Sequence, residues 1–319
     1  MELSSSSELP TWNGCVMATD KNDNEYCFII GAPKAGTSTV FDLLSQYPEV
    51  NTSAIKEPHY FCSDLDRRAP LKIFANDEEY LSFCYPKITS KHRYLIEASA
   101  SYLYSQVAAN RIKKFSQNSK IIILLRNPID AVYALYSQKK FGGAETLNFV
   151  DSIRAIEERL LGNKVSKNPG ILETYDYIGT YKYYDQLKRY LDIFETKNIL
   201  IIKYEDLVRD PLKIQAQLSS FLCLAPHEGV GFRSINLNKR IKNVALHRLI
   251  RYIRLNLVFK KIFPKHFFGY FVKMVEDLCF EVGPRKPLNF IQQDFLRQFF
   301  DGDRQKLEAL IGRDLDDWY

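Results

Sequence analysis

Residues 25–39 read EYCFIIGAPKAGTST, an apolar run followed by a loop with two glycines. Gly31 and Gly36 have the spacing of the glycines in a nucleotide-triphosphate P-loop, where Lys and then Ser or Thr follow the second glycine directly. Here a Thr-Ser pair follows Gly36, and the only lysine of the loop, Lys34, precedes it. The stretch predicts a strand, a turn and a helix N-terminus that binds a phosphate. An altered ATPase loop, a loop for another phosphate and a plain turn stay open at this point.

The size and composition of the chain are those of a globular protein. Its 319 residues, 46% of them apolar, can bury a full core in one large domain or two small ones. No apolar run approaches the roughly 20 residues that span a bilayer, and the N-terminus MELSSSSELPTWNG does not resemble a signal peptide. The six cysteines form no CxxC pair, which argues against a zinc site or a disulfide scaffold. We therefore expect a soluble cytoplasmic protein with reduced thiols.

The positive charge is concentrated in one segment. The formal net charge is +6, but residues 230–273 contain eleven Lys or Arg and no Asp or Glu, which leaves the remainder at −5. Such a block indicates an anionic ligand or partner nearby. The alternative is a solvated helix face, because apolar residues between 246 and 257 recur at helical spacing.

Short apolar runs alternate with longer segments of helical periodicity. The predicted strands are 27–31, 94–98, 120–125 and 198–204. The predicted helices are one beginning at Thr37, those at 128–141, 176–194 and 211–222, and four in the last third at 245–256, 267–280, 289–299 and 301–311. The pattern predicts an α/β fold, a P-loop-like central parallel sheet flanked by helices with a helical C-terminal region. We expect a flexible tail, 1–24, and a single domain, 25–319, because no linker divides the chain.

The strand 120–125 ends in Arg126, followed by Asn127 and Pro128. Triphosphate chemistry needs magnesium, which an acidic residue at the end of a neighbouring strand normally holds. An arginine at that position would repel a metal and attract a second anion. The sequence therefore predicts two cationic phosphate sites and no metal ligand.

Together these motifs resemble the sulfotransferase superfamily, whose donor is 3′-phosphoadenosine 5′-phosphosulfate (PAPS) and whose nucleotide product is 3′,5′-adenosine bisphosphate (PAP). GAPKAGTSTVFDLLSQYPEV (31–50) is similar to its 5′-phosphosulfate loop, and LLRNPIDAVYALY (124–136) to its 3′-phosphate segment. The further matches are KEPHYF (56–61), EASASYLY (97–104), YEDLVRDP (204–211) and the ending EALIGRDLDDWY (308–319). The resemblance runs from about residue 25 to the end, and is closest to the bacterial natural-product enzymes and the heparan-sulfate branch.

The resemblance implies roles for the loop and for the arginine. Lys34 would reach the 5′-phosphate and the bridging oxygen of the phosphosulfate, as a catalytic and a donor-binding residue. Arg126 would pair with the 3′-phosphate through its guanidinium fork. The loop residues implied in donor binding are Lys34, Ala35, Gly36, Thr37, Ser38 and Thr39.

The resemblance also implies a base that removes a proton from the acceptor. The heparan-sulfate branch has a glutamate and a histidine two residues apart, which match Glu57 and His59. We assign Glu57 as the base and His59 as its helper or an acceptor-binding group. An ordinary loop carboxylate and a core histidine are the alternatives, and Lys56 is expected to be an exposed loop lysine.

The chain departs from the family pattern at two positions. Ala98 stands where the heparan-sulfate branch has a lysine, and Ala134 stands where the family has a serine for the 3′-phosphate. The first departure implies a different acceptor or a rearranged pocket. The cationic segment 236–243 is the natural substitute for the missing serine. Its candidate donor-binding residues are Lys239, Arg240 and Lys242.

The expected function is transfer of a sulfuryl group from PAPS to a hydroxyl or amine of a small-molecule acceptor, such as a polyketide, glycoside or alkaloid toxin. The alternatives are a polysaccharide sulfotransferase, a P-loop small-molecule kinase, and a binding module that docks on an anionic membrane or polysaccharide. We expect no metal cofactor, no nucleic-acid partner and no transmembrane segment. The acceptor, the attacking atom and the oligomeric state stay open.

Overall fold

The computed structural model describes residues 24–68, 71–166, 169–233, 239–241, 280–282 and 287–318. The predicted tail, except its last residue, and the predicted helix 245–256 lie outside these ranges. No helix within them is both long enough and apolar enough to cross a bilayer. The division into a tail and a single domain, and the cytoplasmic location, stay predictions.

A parallel five-stranded sheet forms the centre of the fold, with the strand order β2-β3-β1-β4-β5. The strands are β1 (Glu25–Ile29), β2 (Val50–Thr52), β3 (Tyr94–Ala98), β4 (Lys120–Leu125) and β5 (Ile199–Lys203). In the central strand, Ile29 pairs with Ala98 on one side and Ile122 on the other. β3 and nearly all of β4 are buried, as strands covered on both faces should be. The predicted parallel sheet is confirmed.

Helices flank the sheet, as predicted. They are α1 (Thr37–Leu44), α2 (Asp77–Cys84), α3 (Ala108–Phe115), α4 (Pro128–Gly142), α5 (Phe149–Arg154), α6 (Ile156–Leu160), α7 (Tyr183–Ile193), α8 (Tyr204–Arg209), α9 (Pro211–Phe221) and α10 (Phe290–Ile311). The helix predicted from residue 176 begins only at Tyr183, so that boundary is wrong. The carboxylate of Asp176 accepts a hydrogen bond from the N–H of Gly179 at 2.7 Å, and such a local bond favours a turn over a helix.

The C-terminal helix is longer than predicted. The sequence predicted two helices, 289–299 and 301–311, but α10 runs through both without a break. Asn289 and Gln292 form a capping box at its start. Gly302, inside the helix, costs roughly 1 kcal/mol relative to alanine. Burial of three apolar side chains on one face offsets that cost: Leu296, Phe300 and Leu307.

Two short strands form a second, antiparallel sheet: β6 (Lys239–Ile241) and β7 (Phe280–Val282). The helix predicted at 267–280 is therefore wrong at Phe280, where backbone pairing with β6 takes the place of helical bonds. The other residues of that prediction lie outside the described ranges.

The thiol prediction is wrong at one residue, because Cys223 is disulfide-bonded. Cys27, Cys62 and Cys84 are free and buried, and burial raises the pKa of the Cys62 and Cys84 thiols to about 12. Spacing rules detect cysteines that are close in sequence. A bond between distant segments depends on the tertiary fold and leaves no local signal.

The C-terminal segment braces the ends of β4 and β5. The side chain of Asn127 donates to the carbonyl of Trp318, and the indole N–H of Trp318 donates to Glu205 at 3.2 Å. Lys203, the last residue of β5, pairs with Asp317 at 2.6 Å. The ending of the chain thus fixes the edge of the sheet at which Arg126 lies.

Candidate functional site

A cleft of about 480 Å³ lies at the edge of the sheet where the strands end. Its near wall comprises residues 33, 34 and 36–39 after β1, 56–57 after β2, 100–101 after β3, Arg126 after β4 and Tyr204 after β5. The segment that follows each of the five strands of the central sheet therefore lines this cleft. Open parallel sheets bind ligands at this edge.

The floor of the cleft is the N-terminus of α1. The first N–H groups of an α-helix, here including those of Thr37 and Ser38, have no intrahelical partner. The N-cap residue, Gly36, offers them no side-chain acceptor. Together with the positive end of the helix dipole they favour an anion. Gly36 has a φ of 91°, and a Cβ there would lie 2.9 Å from Leu207 Cδ2. A side chain at this position would therefore be strained and crowded.

Hydrogen bonds to two loop carbonyls hold Lys34 in place. The hydroxyl of Tyr181 donates to the carbonyl of Pro33 at 3.1 Å, and Nη1 of Arg126 donates to the carbonyl of Lys34 at 3.0 Å. Lys34 has a left-handed φ of 63°, which is costly for a residue with a Cβ. The two bonds hold this conformation, and Lys34 lines the cleft.

The guanidinium of Arg126 uses one N–H for a bond within the protein and leaves another, at Nε, for a ligand. Its guanidinium carbon lies 4.4 Å from the centre of the Tyr204 ring, and the hydroxyl of Tyr183 donates to its backbone carbonyl at 3.0 Å. Its buried Nε has no hydrogen-bond partner, and no carboxylate lies within 4.0 Å of the guanidinium, among the residues that the structure describes. An oxyanion would satisfy this group, because a guanidinium fork binds phosphate oxygens in pairs.

Glu57 lies on the near wall of the cleft with two basic neighbours. Its Oε1 contacts Nζ of Lys56 at 2.8 Å, and its Oε2 lies 3.7 Å from Nε2 of His59. Nζ of Lys56 also lies 3.4 Å from Oγ1 of Thr37. Lys56 is therefore not the exposed loop lysine that the sequence predicted: its side chain is 25% exposed and joins Glu57 to the start of α1.

The pKa values of Glu57 and His59 are both lowered, but for different reasons. Burial raises the pKa of Glu57, but the positive charges of the nearby Lys56 and Lys34 outweigh that effect, so the pKa of the carboxyl lies below its ordinary value and Glu57 is ionised at neutral pH. Burial lowers the pKa of His59 to about 4; the negative Glu57 opposes this effect, and the positive Lys56 and Arg67 add to it. At neutral pH Glu57 is thus a proton acceptor and His59 is uncharged.

A buried network supports the 57–59 segment from below. The backbone N–H of His59 donates to Oγ of Ser99 at 3.1 Å, and that hydroxyl donates to Glu97 at 2.6 Å. Tyr80 and Tyr102 also donate to the Glu97 carboxyl. Burial raises the pKa of Glu97 to about 7, against the opposite effect of these hydrogen bonds. The network holds the left-handed backbone of Glu57 and His59, whose φ angles are 62° and 54°.

The far wall of the cleft comes from α4 and from two loops. Leu135, Gln138, Lys139 and Gly142 lie on one helical face and line the cleft with residues 144 and 174. Nζ of Lys139 donates to Oγ1 of Thr174 at 2.8 Å. This wall places a third lysine in the cleft, beside those of the near wall.

The structure brings together most of the predicted residues. Lys34, Gly36, Thr37, Ser38, Thr39, Glu57 and Arg126 all line the cleft. Ala35 is fully buried and its N–H bonds to the carbonyl of Ala32 at 3.2 Å. His59 is buried beside Glu57, and its Nδ1 has no partner among the described residues. Lys242 lies outside the described ranges, and for Arg240 only the backbone, in β6, is described.

Two lysines of the cleft were missed by the sequence analysis. Lys56 was set aside because a single loop lysine carries little information. Lys139 gave a weak signal, since it follows Leu135 at the i, i+4 spacing of one helix face. Ala134, where the family has its serine, is fully buried, and the cleft is lined by its neighbour Leu135.

Several known proteins are similar in sequence to this chain. Residues 24–236 match the sulfotransferase domain family. Over 201 residues, 62% of the chain, it is 27% identical to human bifunctional heparan sulfate N-deacetylase/N-sulfotransferase 2 and 25% identical to mouse heparan sulfate glucosamine 3-O-sulfotransferase 5. The matches cover only 22% and 53% of these relatives' lengths.

A solved structure extends the similarity to the fold. The sulfotransferase from Alicyclobacillus acidocaldarius superimposes with a TM-score of 0.67, over 93% of this chain and 99% of that one, at 24% identity. The P-loop-like sulfotransferase fold, which the sequence predicted, is thus confirmed.

Proposed function

The chain belongs to the sulfotransferase family, whose enzymes depend on PAPS, and on that premise we propose that it transfers a sulfuryl group to a hydroxyl or amine of a small-molecule acceptor. The observation that carries the proposal is the 3.0 Å hydrogen bond from Arg126 to the carbonyl of Lys34. It joins two separate cationic phosphate sites in one cleft, and PAPS has phosphate groups at two separate positions.

The cleft-lining loop residues 33, 34 and 36–39, together with Arg126, form what we name the donor side of the cleft. The N–H groups at the start of α1 would hold the 5′-phosphate of PAPS, and the Arg126 fork would hold the 3′-phosphate. The fit is good, because the helix has no side-chain cap and Nε of Arg126 has no partner among the described residues. When bound, PAPS supplies an activated sulfuryl group with a bisphosphate leaving group.

Lys34 and Glu57 would perform the chemistry. Lys34 neutralises the negative charge that develops on the leaving phosphate, an effect worth roughly 3–4 kcal/mol for one well-placed donor. Glu57, ionised and lining the same cleft as the loop, accepts the proton of the attacking hydroxyl or amine. Lys56 is shared between Glu57 and Thr37. Negative charge at the start of α1 would attract Lys56 and make Glu57 a stronger base.

Glu57, the cleft-lining residues of α4 and Thr174 form what we name the acceptor side. A volume of about 480 Å³ for the whole cleft is in the range of small-molecule sites, which supports a small acceptor, and we place natural products first. The polysaccharide sulfotransferases among the relatives favour a second candidate, a sugar chain that enters the cleft by one residue.

The test is sulfuryl transfer from ³⁵S-labelled PAPS to a panel of phenols, sugar alcohols, amines and sulfate-free oligosaccharides. We expect labelled product with at least one small acceptor, and its loss in Lys34→Ala. Labelling of oligosaccharides alone would move the acceptor to the polysaccharide class. Absence of label throughout, with phosphoryl transfer from ATP instead, would contradict the proposal.

A further inference from the structure

The far wall of the cleft contains a positively charged residue, Lys139, that has no role in donor binding or in proton transfer in the proposed function. Lys34 and Arg126 face the two phosphate sites, and Lys56 pairs with Glu57 at 2.8 Å. Glu57 is the one carboxylate that lines the cleft among the described residues. Lys139 therefore remains as a cation without a counter-ion on the acceptor side.

The surroundings of Lys139 hold its ammonium group in place without neutralising it. Its Nζ donates to Oγ1 of Thr174 and lies 3.6 Å from the centre of the Tyr175 ring, a distance at which a cation is attracted to the ring face. The hydroxyl of Thr174 itself donates to the carbonyl of Ile171. Within the described part of the chain, no carboxylate lies within 4.0 Å of this ammonium.

Glu145, the acidic residue whose charge acts on Lys139, already has hydrogen-bond partners of its own. Both oxygens of Glu145 bond to the guanidinium of Arg159, and both of these side chains are fully buried. The hydroxyl of Tyr177 donates to the same carboxylate at 2.9 Å. Burial lowers the pKa of Lys139 to about 8. The negative charge of Glu145 opposes this effect, and the positive charge of Arg159 adds to it. A partly desolvated ammonium of this kind gains from an anion that enters the cleft.

We propose that Lys139 forms a subsite for a carboxylate carried by the acceptor, so that the enzyme prefers anionic acceptors over neutral ones. This inference rests on the proposed function. Of the three N–H groups of the ammonium, one donates to Thr174 and one faces the Tyr175 ring, so the third can donate to an oxygen of the carboxylate. Gln138, on the same helical face of α4, offers an amide for a neighbouring hydroxyl of the acceptor.

The test compares two acceptors that differ at one group, p-nitrophenyl β-D-glucuronide and p-nitrophenyl β-D-glucoside. We expect the wild type to have a kcat/KM at least tenfold higher for the glucuronide, and Lys139→Gln to lower that ratio about tenfold. The matched control is Lys140→Gln, which removes a neighbouring exposed lysine that bonds to the carbonyls of residues 146 and 147. It should leave the ratio unchanged.

A second measurement does not depend on turnover. In the full-length protein with PAP bound, acetylation of Lys139 by acetic anhydride is followed by mass spectrometry. The glucuronide should slow the acetylation of Lys139, and the glucoside should not. Equal protection by both sugars, or by neither, overturns the subsite, as does a wild-type ratio near one. Failure of PAP to bind the wild type would instead overturn the proposed function, so the two failures are distinguishable.

Discussion

The donor side and the acceptor side of the cleft are built from different parts of the chain. The donor side comes from one short loop, residues 33, 34 and 36–39, with Arg126 bonded to its backbone. The acceptor side is assembled from side chains of distant segments, among them Glu57, Lys139 and Thr174. Its positions depend on the supporting network beneath residues 57–59 and on the contacts of α4.

The difference shows how each kind of site is specified. A phosphate is bound by main-chain N–H groups at a helix N-terminus, so a short motif with two glycines is enough to specify it. A particular acceptor is bound by side chains, and these can change without altering the fold. We therefore expect substitutions on the donor side to affect every acceptor equally, and those on the acceptor side to affect acceptors selectively.

The largest effect is expected for Glu57→Gln. Glutamine keeps the shape and the left-handed φ of 62° but cannot accept the proton, so kcat should fall about 10²–10⁴-fold. Affinity for PAP, measured by calorimetry, should change little. The control is Glu158→Gln, an exposed carboxylate paired with Lys164. Weakened PAP binding with unchanged kcat would make Glu57 a structural residue and leave His59 as the candidate.

Lys34→Ala should come next, with a loss of about 10²–10³-fold in kcat for every acceptor tested. The matched control is Lys164→Ala, because Lys164 is also a lysine with a left-handed φ, 52°, and is exposed. This control measures how much of the change in kcat comes from altered backbone strain, so that the rest can be attributed to the lost charge of Lys34. Near-normal turnover in Lys34→Ala would remove the central role of this residue.

Arg126→Lys tests the second phosphate site. Lysine keeps the charge but loses the planar fork, and a charge-assisted hydrogen bond is worth roughly 1.5–3 kcal/mol. Affinity for PAP should therefore fall about tenfold or more, while affinity for AMP, which has no 3′-phosphate, should change little. If both ligands weaken equally, Arg126 acts by holding the carbonyl of Lys34 rather than by contacting the 3′-phosphate.

The smallest effect is expected for Ala134→Ser, which introduces the hydroxyl that the family has at this position. Ala134 is fully buried in α4, and a serine inside a helix can bond to the carbonyl four residues before it. The gain in PAP affinity should therefore be less than about tenfold. Neutralising Arg240 or Lys242 should weaken PAP binding if the basic segment replaces the serine. No change in any of these variants would contradict the placement of the 3′-phosphate.

The sequence predicted the sheet and the segments that line the near wall of the cleft because both depend on local patterns. The apolar strands, the helix beginning at Thr37 and the arginine after β4 are each specified within about ten residues. Even there, Ala35 does not line the cleft, because its N–H closes a turn within the loop. Local patterns identify which segment lines the cleft, but not which of its residues do so.

The rest could not be predicted because it depends on contacts between distant residues. Glu97 and Ser99 support the 57–59 segment from another strand, and Lys139 faces the cleft only because α4 packs in one orientation. The disulfide at Cys223 is of the same kind. The continuity of α10 past Gly302 follows from tertiary burial of one helix face, which outweighs the local preference for a break.

The most direct test of the central claim is calorimetry of the wild-type protein with PAP, AMP and ADP, with EDTA present for the first two and magnesium for the third. The account predicts that PAP binds at least tenfold more tightly than either other nucleotide, because only PAP engages both the start of α1 and Arg126. Equal affinity for PAP and AMP, or tighter binding of ADP with magnesium, would contradict a cleft built for a 3′-phosphorylated sulfuryl donor.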